Sequence, residues 1–228
     1  MWLSEIDDMS VDAVICDPPY GATQNSWDSI IPLDLLWPEL FRVCKGAIVL
    51  TAIQPFSSML VCSQIGSFRH EWIWSKNKGT GHLNCKRTPM RYHESVLVFS
   101  LNGMTYNPQK TQGHKPGNYA NRVRTTPNYG AQRKSEPSGG QTDRYPRSVQ
   151  QFDILNNDSP ERTHPTQKPV ALMEYLIRTY SNEGDTILDF AMGSGSTGEA
   201  ALRNNRRFIG IELEPNYWRI AKNRLASE

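Results

Sequence analysis

Asp17-Pro18-Pro19-Tyr20 closes a short apolar run, Val11 to Cys16, and combines groups that could act on an exocyclic amine. Such a nitrogen has its lone pair drawn into the ring, so it attacks poorly until acceptors engage its hydrogens. The Asp17 carboxylate and the Pro18 carbonyl supply two acceptors, the prolines stiffen the turn so that the carbonyl points outward, and Tyr20 offers a flat face for a ring. That chemistry is acceptor placement and orientation, and it calls for neither a covalent adduct nor a metal. A plain strand-ending Pro-Pro turn with an Asp and a packing Tyr accounts for the same four residues.

A second constellation lies far along the chain. Gly193-Ser194-Gly195-Ser196-Thr197-Gly198 fits G-x-G-x-x-G between an apolar run, TILDFAM, and a helical stretch, and Glu212 stands 19 residues after Gly193 at the end of the next apolar run. Glycines allow a sharp turn and close approach to a ligand, and the acid can accept hydrogen bonds from ribose hydroxyls. The unit predicts a nucleoside-containing cofactor. Asp189, four residues before Gly193, is awkward beside a pyrophosphate. A cofactor with an amino acid and a positive sulfur tolerates it, so S-adenosyl-L-methionine fits better than NAD, which remains the alternative.

Positioning these groups requires strands that end together. The apolar runs VDAVIC, GAIVLT, HEWIWSK, SVLVFS, TILDFAM and RFIGIE alternate with helical patterns at Leu33 to Val43, Ser57 to Ile65, VALMEYLIRTYS, GSGSTGEAALRNN and NYWRIAKNRL. Alternation of this kind predicts an α/β fold, a doubly wound and mostly parallel sheet covered on both faces. Only 16 residues follow Glu212, so the cofactor half comes last and the sheet borrows strands that precede it, a circularly permuted order.

The 228 residues suffice for one domain with an insertion, and the formal charge of +2 hides an asymmetry. Met104 to Gln150 carries a net +6, with five Pro, five Gly and few aliphatics, so it reads as an irregular basic excursion. Arg122, Arg124, Arg133, Lys134 and Arg144 interleave with Tyr106, Tyr119, Tyr129 and Tyr145, as on surfaces that meet phosphates and stack bases. Lys76, Lys78 and Lys86, in the segment between two candidate strands, could hold phosphates, or could be ordinary loop lysines. His93 and Glu94 open a strand and read as hydrogen-bonded packing residues. Cys16, Cys44, Cys62 and Cys85 show no metal or disulfide spacing and are expected to be reduced thiols. MWLSEIDDMS is no secretion signal, and no apolar run approaches a membrane span, so a cytoplasmic protein is expected.

Together the motifs resemble the DNA amino-methyltransferases that modify adenine N6 or cytosine N4, in the β-type order with the tetrapeptide first. DPPY resembles the catalytic motif, HPTQKPVALMEYLI the segment before the cofactor strand, LDFAMGSGSTG the cofactor loop, and FIGIELEPNYWRIAKNRL the strand and helix that follow. The resemblance implies S-adenosyl-L-methionine as methyl donor, double-stranded DNA as substrate and a base flipped out of the helix. It implies that Asp17 and Pro18 hold adenine N6, that Pro19 completes the catalytic tetrapeptide and that Tyr20 stacks on the base. Asp189, Phe190, Gly193, Ser194 and Gly195 would line the cofactor, Glu212 would bind its ribose, and Thr166 and Lys168 would lie near its carboxylate. The organisation expected is a catalytic half over residues 1–103, a target-recognition insertion over 104–158 and a cofactor half over 159–228.

Asp at the head of the tetrapeptide favours adenine N6 over cytosine N4, which stays an alternative, as does a DNA-binding relative without turnover. Phe190-Ala191 stands where the family has Pro-Phe, a shift that could turn the ring away from the ligand. Only ten residues precede Val11, so the strand that closes over the cofactor's adenine in relatives is expected to be missing and cofactor binding weakened. Further candidate partners are a second copy of the chain and a companion restriction endonuclease.

Overall fold

A computed structural model describes residues 2–22, 25, 28–117, 140–154 and 167–228. They form two compact units, Met1–Asn107 with Ser148–Glu228, and Pro108–Arg147. In the first unit, strands β1 (Val11–Cys16), β2 (Cys44–Ala52), β3 (Phe68–Thr80), β4 (Arg91–Phe99), β5 (Val149–Gln151), β6 (Thr186–Asp189) and β7 (Arg207–Gly210) make one sheet, ordered β5-β3-β4-β2-β1-β6-β7. Pairs β1–β2, β1–β6, β6–β7 and β3–β5 are parallel, and only β4 runs against its neighbours. This is the expected mostly parallel α/β architecture.

Period-two alternation sorts the core into two layers. Val14 and Cys16 of β1, Ile48 and Leu50 of β2, and Leu97 and Phe99 of β4 pack with α1 (Leu33–Val43) and α2 (Phe56–Ser63). Their neighbours Ala13, Ile15, Ala47, Val49, Val96 and Val98 face the other way, toward α3 (Val170–Tyr180) and α4 (Ser196–Arg203). Each helix supplies its apolar stripe at helical spacing, as Leu36, Trp37, Leu40 and Val43 do in α1. Pro38 interrupts the hydrogen bonding of α1 on its exposed side, where water can satisfy the freed carbonyl. A final helix, α5 (Pro215–Leu225), buries little beyond Ala221, and Gly198 of α4 is what lets Leu225 and the Phe208 ring come close, since a Cβ there would lie 2.7 Å from each.

The hairpin of β3 and β4 runs further than its apolar stretches predict. Backbone pairing continues from Trp74↔Glu94 through Ser75↔His93 to Thr80↔Arg91, because a ladder whose side chains meet solvent needs no apolar alternation. Lys76 therefore lies inside a strand and not in a loop. None of the four cysteines is disulfide-bonded. Among the described residues no helix is long and apolar enough to cross a membrane.

In the second unit, the described ends of the basic stretch pair antiparallel, Thr111 exchanging backbone bonds with Arg144 and the His114 amide donating to Thr142. Arg144, expected among the nucleic-acid contacts, is tied to this stretch. Its guanidinium donates to the carbonyls of Gln141, Asp143 and Lys115, so it braces the turn from inside. Arg122, Arg124, Arg133 and Lys134 lie outside the described residues.

Two stability predictions follow from the sheet and its helices. Leu40 is fully buried between α1 and the sheet, so Leu40→Ala should lower unfolding free energy by about 2–5 kcal/mol in a urea titration. At the end of β6, burial pushes the Asp189 carboxyl from 3.8 up to about 6, against hydrogen bonds from Thr197, Cys16 and the Ala191 amide that favour the anion. The folded chain thus holds this proton more tightly than the unfolded one, a contribution complete below about pH 4 and lost as pH rises through about 6. Asp189→Asn should gain on the parent by on the order of 3 kcal/mol between pH 4 and pH 7, read as the difference of two urea series.

Candidate active site

From β1 the chain crosses through α1 to β2 over one face of the sheet, and from β6 it crosses through α4 to β7 over the other. Neighbouring strands that depart in opposite directions leave a crevice at their carboxyl ends, where open α/β sheets bind ligands. The tetrapeptide leaves the end of β1 and the glycine turn leaves the end of β6, with Val14 and Leu188 in register below them. Both constellations read from the sequence therefore open at one end of the sheet.

The turn after Pro19 is pinned from a distance. Asp28 accepts the amides of Tyr20 and Gly21 on Oδ1, at 2.8 and 2.9 Å, and that of Ala22 on Oδ2 at 2.9 Å. Three successive donors with no sheet partner are satisfied by one carboxylate. Nothing in the local pattern singles out Asp28, which sits in a polar connection.

Asp17 is held on both oxygens. Its Oδ1 accepts hydrogen bonds from the Tyr20 hydroxyl and from Thr51 Oγ1 of β2, and those hydroxyls lie 2.7 Å apart. Its Oδ2 accepts from Lys168 Nζ at 2.6 Å, linking residues 151 positions apart. Burial first, and then the negative charges of Asp17 and Glu94, raise the Tyr20 pKa well above its ordinary value, so the phenol stays a donor. The Tyr20 ring lies 5.6 Å from Phe56 and 5.4 Å from the Lys168 ammonium.

Behind Asp17 the charges alternate. Glu94 of β4 receives a hydrogen bond from Lys76 of β3 through Oε1, and its Oε2 lies 3.3 Å from Lys168 Nζ. The Lys76, Glu94 and Lys168 side chains are only 6, 11 and 8% exposed. Burial alone would lower the Lys168 pKa, but the carboxylates of Asp17 and Glu94 outweigh it and raise the value. Burial would raise that of Glu94, and the two lysines bring it below the usual carboxylate range. Lys76 was expected to hold phosphates; it is instead a buried counter-ion with its ammonium 4.8 Å from the Trp74 ring. Lys78 and Lys86 are exposed, as expected.

Across the crevice, Gly193 and Gly195 take φ of +53° and +84°, which L side chains rarely adopt, and Gly195 opens α4. Glu212 draws the turn toward β7: its Oε2 accepts the Gly193 amide and its Oε1 the Glu214 amide, each at 2.8 Å. Ser194 Oγ donates to Gln167 Oε1 at 3.3 Å, so the segment carrying Lys168 touches both halves of the crevice. A cleft of about 600 Å³ runs along β7, with Ile6, Ile209, Ile211 and Trp218 on its apolar side and Glu5, Asp7, Ser10 and Glu212 on its polar side. Apolar walls for a base ending on a carboxylate for sugar hydroxyls fit a nucleoside-bearing cofactor.

The other expected cofactor residues have these surroundings. Phe190 packs in the apolar layer with Cys16, Phe56 and Leu188, the inward rotation that the one-residue shift implied. Lys168, expected beside a cofactor carboxylate, spends its charge on Asp17 and Glu94. Asp189 is 2% exposed and lies beneath the turn. Thr166 is outside the described residues. Thr51 joins the site unannounced, its only signal a polar residue near a strand end, and Glu94, read from the sequence as a hydrogen-bonded packing residue, joins it as a buried ion-pair partner.

Known proteins resemble this chain in sequence and in fold. The family model described as DNA methylase (N6_N4_Mtase) matches residues 11–223. The type II methyltransferase M.HpaI of Haemophilus parainfluenzae is 30% identical over 242 residues, covering 99% of this chain and 71% of the relative. The DNA adenine methyltransferase YhdJ of Escherichia coli K12 is 28% identical over 245 residues, with coverage of 98% and 79%. The solved M1.HpyAVI–SAM complex superposes with a TM-score of 0.63 at 25% identity, over 98% of this chain and 92% of that one. With a match that begins on the first residue of β1 and ends in α5, taking in both tetrapeptide and glycine turn, the chain belongs to the DNA methylase family.

Proposed function

We propose that the chain methylates adenine N6 in double-stranded DNA. What carries the reading is the Asp17 carboxylate, oriented by Tyr20, Thr51 and Lys168 at the mouth of the crevice and facing the glycine turn's end of the sheet. S-Adenosyl-L-methionine, when bound along Gly193, Gly195, Glu212 and the β7 cleft, supplies a methyl group on a positively charged sulfur. The target base must leave the duplex to reach this depth, an unstacking that costs a few kcal/mol. Asp17 and the Pro18 carbonyl then accept the two amino hydrogens, returning lone-pair density to the nitrogen. As the N–C bond forms, the S–C pair stays on sulfur, and the nitrogen sheds a proton that is finally released to water. Tyr20, tethered through its hydroxyl, offers its ring as the platform for the extruded base.

Affinity for DNA is assigned to the basic stretch of residues 104–150 and to the β3–β4 hairpin. Lys78, Lys86, Arg87 and Arg91 lie on that hairpin without an acidic residue between Lys76 and Glu94, and it projects from the sheet end that bears Asp17. The Asp at position 17, together with the name borne by the YhdJ relative, favours adenine over cytosine. A cytoplasmic enzyme acting beside a companion endonuclease is the setting that a type II relative suggests.

Incubation with methyl-labelled cofactor and unmethylated DNA, followed by nucleoside digestion, should yield labelled N6-methyladenine. N4-methylcytosine would reassign the base, and cofactor and DNA binding without transfer would make the chain a binding module. Asp17→Ala should reduce transfer about 100- to 1,000-fold while cofactor affinity, measured by calorimetry, is kept. Full activity in that variant removes Asp17 from its role.

A further inference from the structure

We infer that Glu94 and Lys76, outside both the tetrapeptide and the glycine turn, are positioning residues that hold the Lys168 ammonium on one oxygen of Asp17 and cancel its charge beside the reacting nitrogen. The inference rests on the methyltransferase reading and assigns that site two further members. An ionised carboxylate offers about four acceptor positions. On Asp17, Oδ1 is taken by Tyr20 and Thr51, and one position of Oδ2 by Lys168. Among the described residues the position left open is on Oδ2, so the amino hydrogen of the target binds the oxygen that Lys168 already holds. A displaced Lys168 moves the acceptor with it.

The same proximity is an electrostatic liability. The target nitrogen becomes cationic as it takes the methyl group, and a buried ammonium on the adjoining oxygen opposes that charge. Glu94 offsets it, and Lys76 in turn keeps Glu94 from standing as an unpaired buried anion. The four side chains alternate in sign and sum to zero. Lys168 is faced by Asp17 after β1, by Glu94 on β4 and by the Tyr20 phenol; Glu94 is faced by Lys76 on β3; Asp189 on β6 and Cys16 on β1 adjoin Asp17. Among the described residues, Glu94 is the acid other than Asp17 that pairs with Lys168.

The test is steady-state methylation by the full chain with Glu94→Gln, and with Glu94→Gln combined with Lys76→Met. Glu94→Gln keeps shape but leaves the cluster one positive charge in excess. It should lower kcat about 10- to 100-fold with little change in cofactor Kd or DNA KM. It should also move the alkaline limb of kcat to lower pH, since Lys168 loses one of the two carboxylates that hold its proton. The double variant is balanced again and should recover most of the lost kcat. An unchanged kcat in Glu94→Gln overturns the inference, and so does a loss that the double variant leaves unrepaired. Should Glu94→Gln not fold, Glu94→Asp, which keeps the charge but shortens the reach to Lys168, is read in its place: a lowered kcat with cofactor Kd and DNA KM kept supports the proposal, and kcat equal to that of the parent overturns it. Inactivity of the unsubstituted chain would instead refute the methyltransferase reading itself.

Discussion

The ion pair between Lys168 and Asp17 is the contact on which the catalytic end of the sheet depends. It joins a segment just ahead of α3 to the residue that leaves β1, so two stretches from opposite ends of the chain meet on one carboxylate. Bringing two charges out of water is expensive unless geometry and further hydrogen bonds repay it. Here Tyr20, Thr51, Glu94 and Lys76 supply those bonds. A carboxylate so constrained has little freedom to rotate, and reorganisation that is already complete before substrate arrives need not be supplied during the reaction.

The sheet makes this possible by ending its strands in the right neighbourhood. Because β1 lies between β2 and β6, Asp17 takes a hydrogen bond from Thr51 of one neighbour and leaves the sheet beside the strand that runs into the glycine turn. The antiparallel β4 brings Glu94 in from the opposite direction, near the start of its strand, while β3 carries Lys76 beside it. A wholly parallel sheet would present a strand's last residues at that place. The reversed strand is thus how an acid from early in β4 reaches the catalytic end.

Much of this was legible from residue order alone. VDAVIC, GAIVLT and TILD are apolar enough to be strands wherever they sit, and the glycine turn between strand and helix can hardly be built otherwise. The β3–β4 hairpin was less legible, since half its length faces water and its lysines read as loop residues. Lys76 shows why: a charged side chain at a strand end looks alike whether it is solvated or paired, and its partner is 18 residues away. Asp28 and Thr51 were invisible for a similar reason, as a carboxylate that caps three amides and a hydroxyl that steadies an acid leave no periodic trace. Asp17 and Tyr20 were visible because their chemistry is local and braced by two prolines.

The basic excursion enters and leaves the sheet unit by two anchored stems. On one side Asn107 bonds the backbone at the end of α3 through its amide and side chain; on the other, Ser148 and β5 are stitched to β3. Both stems bond to α3 and β3 themselves, so the crossing points are fixed by the sheet unit's own elements. Like hinge plates screwed to a door frame, the two stems set where the excursion departs and where it returns.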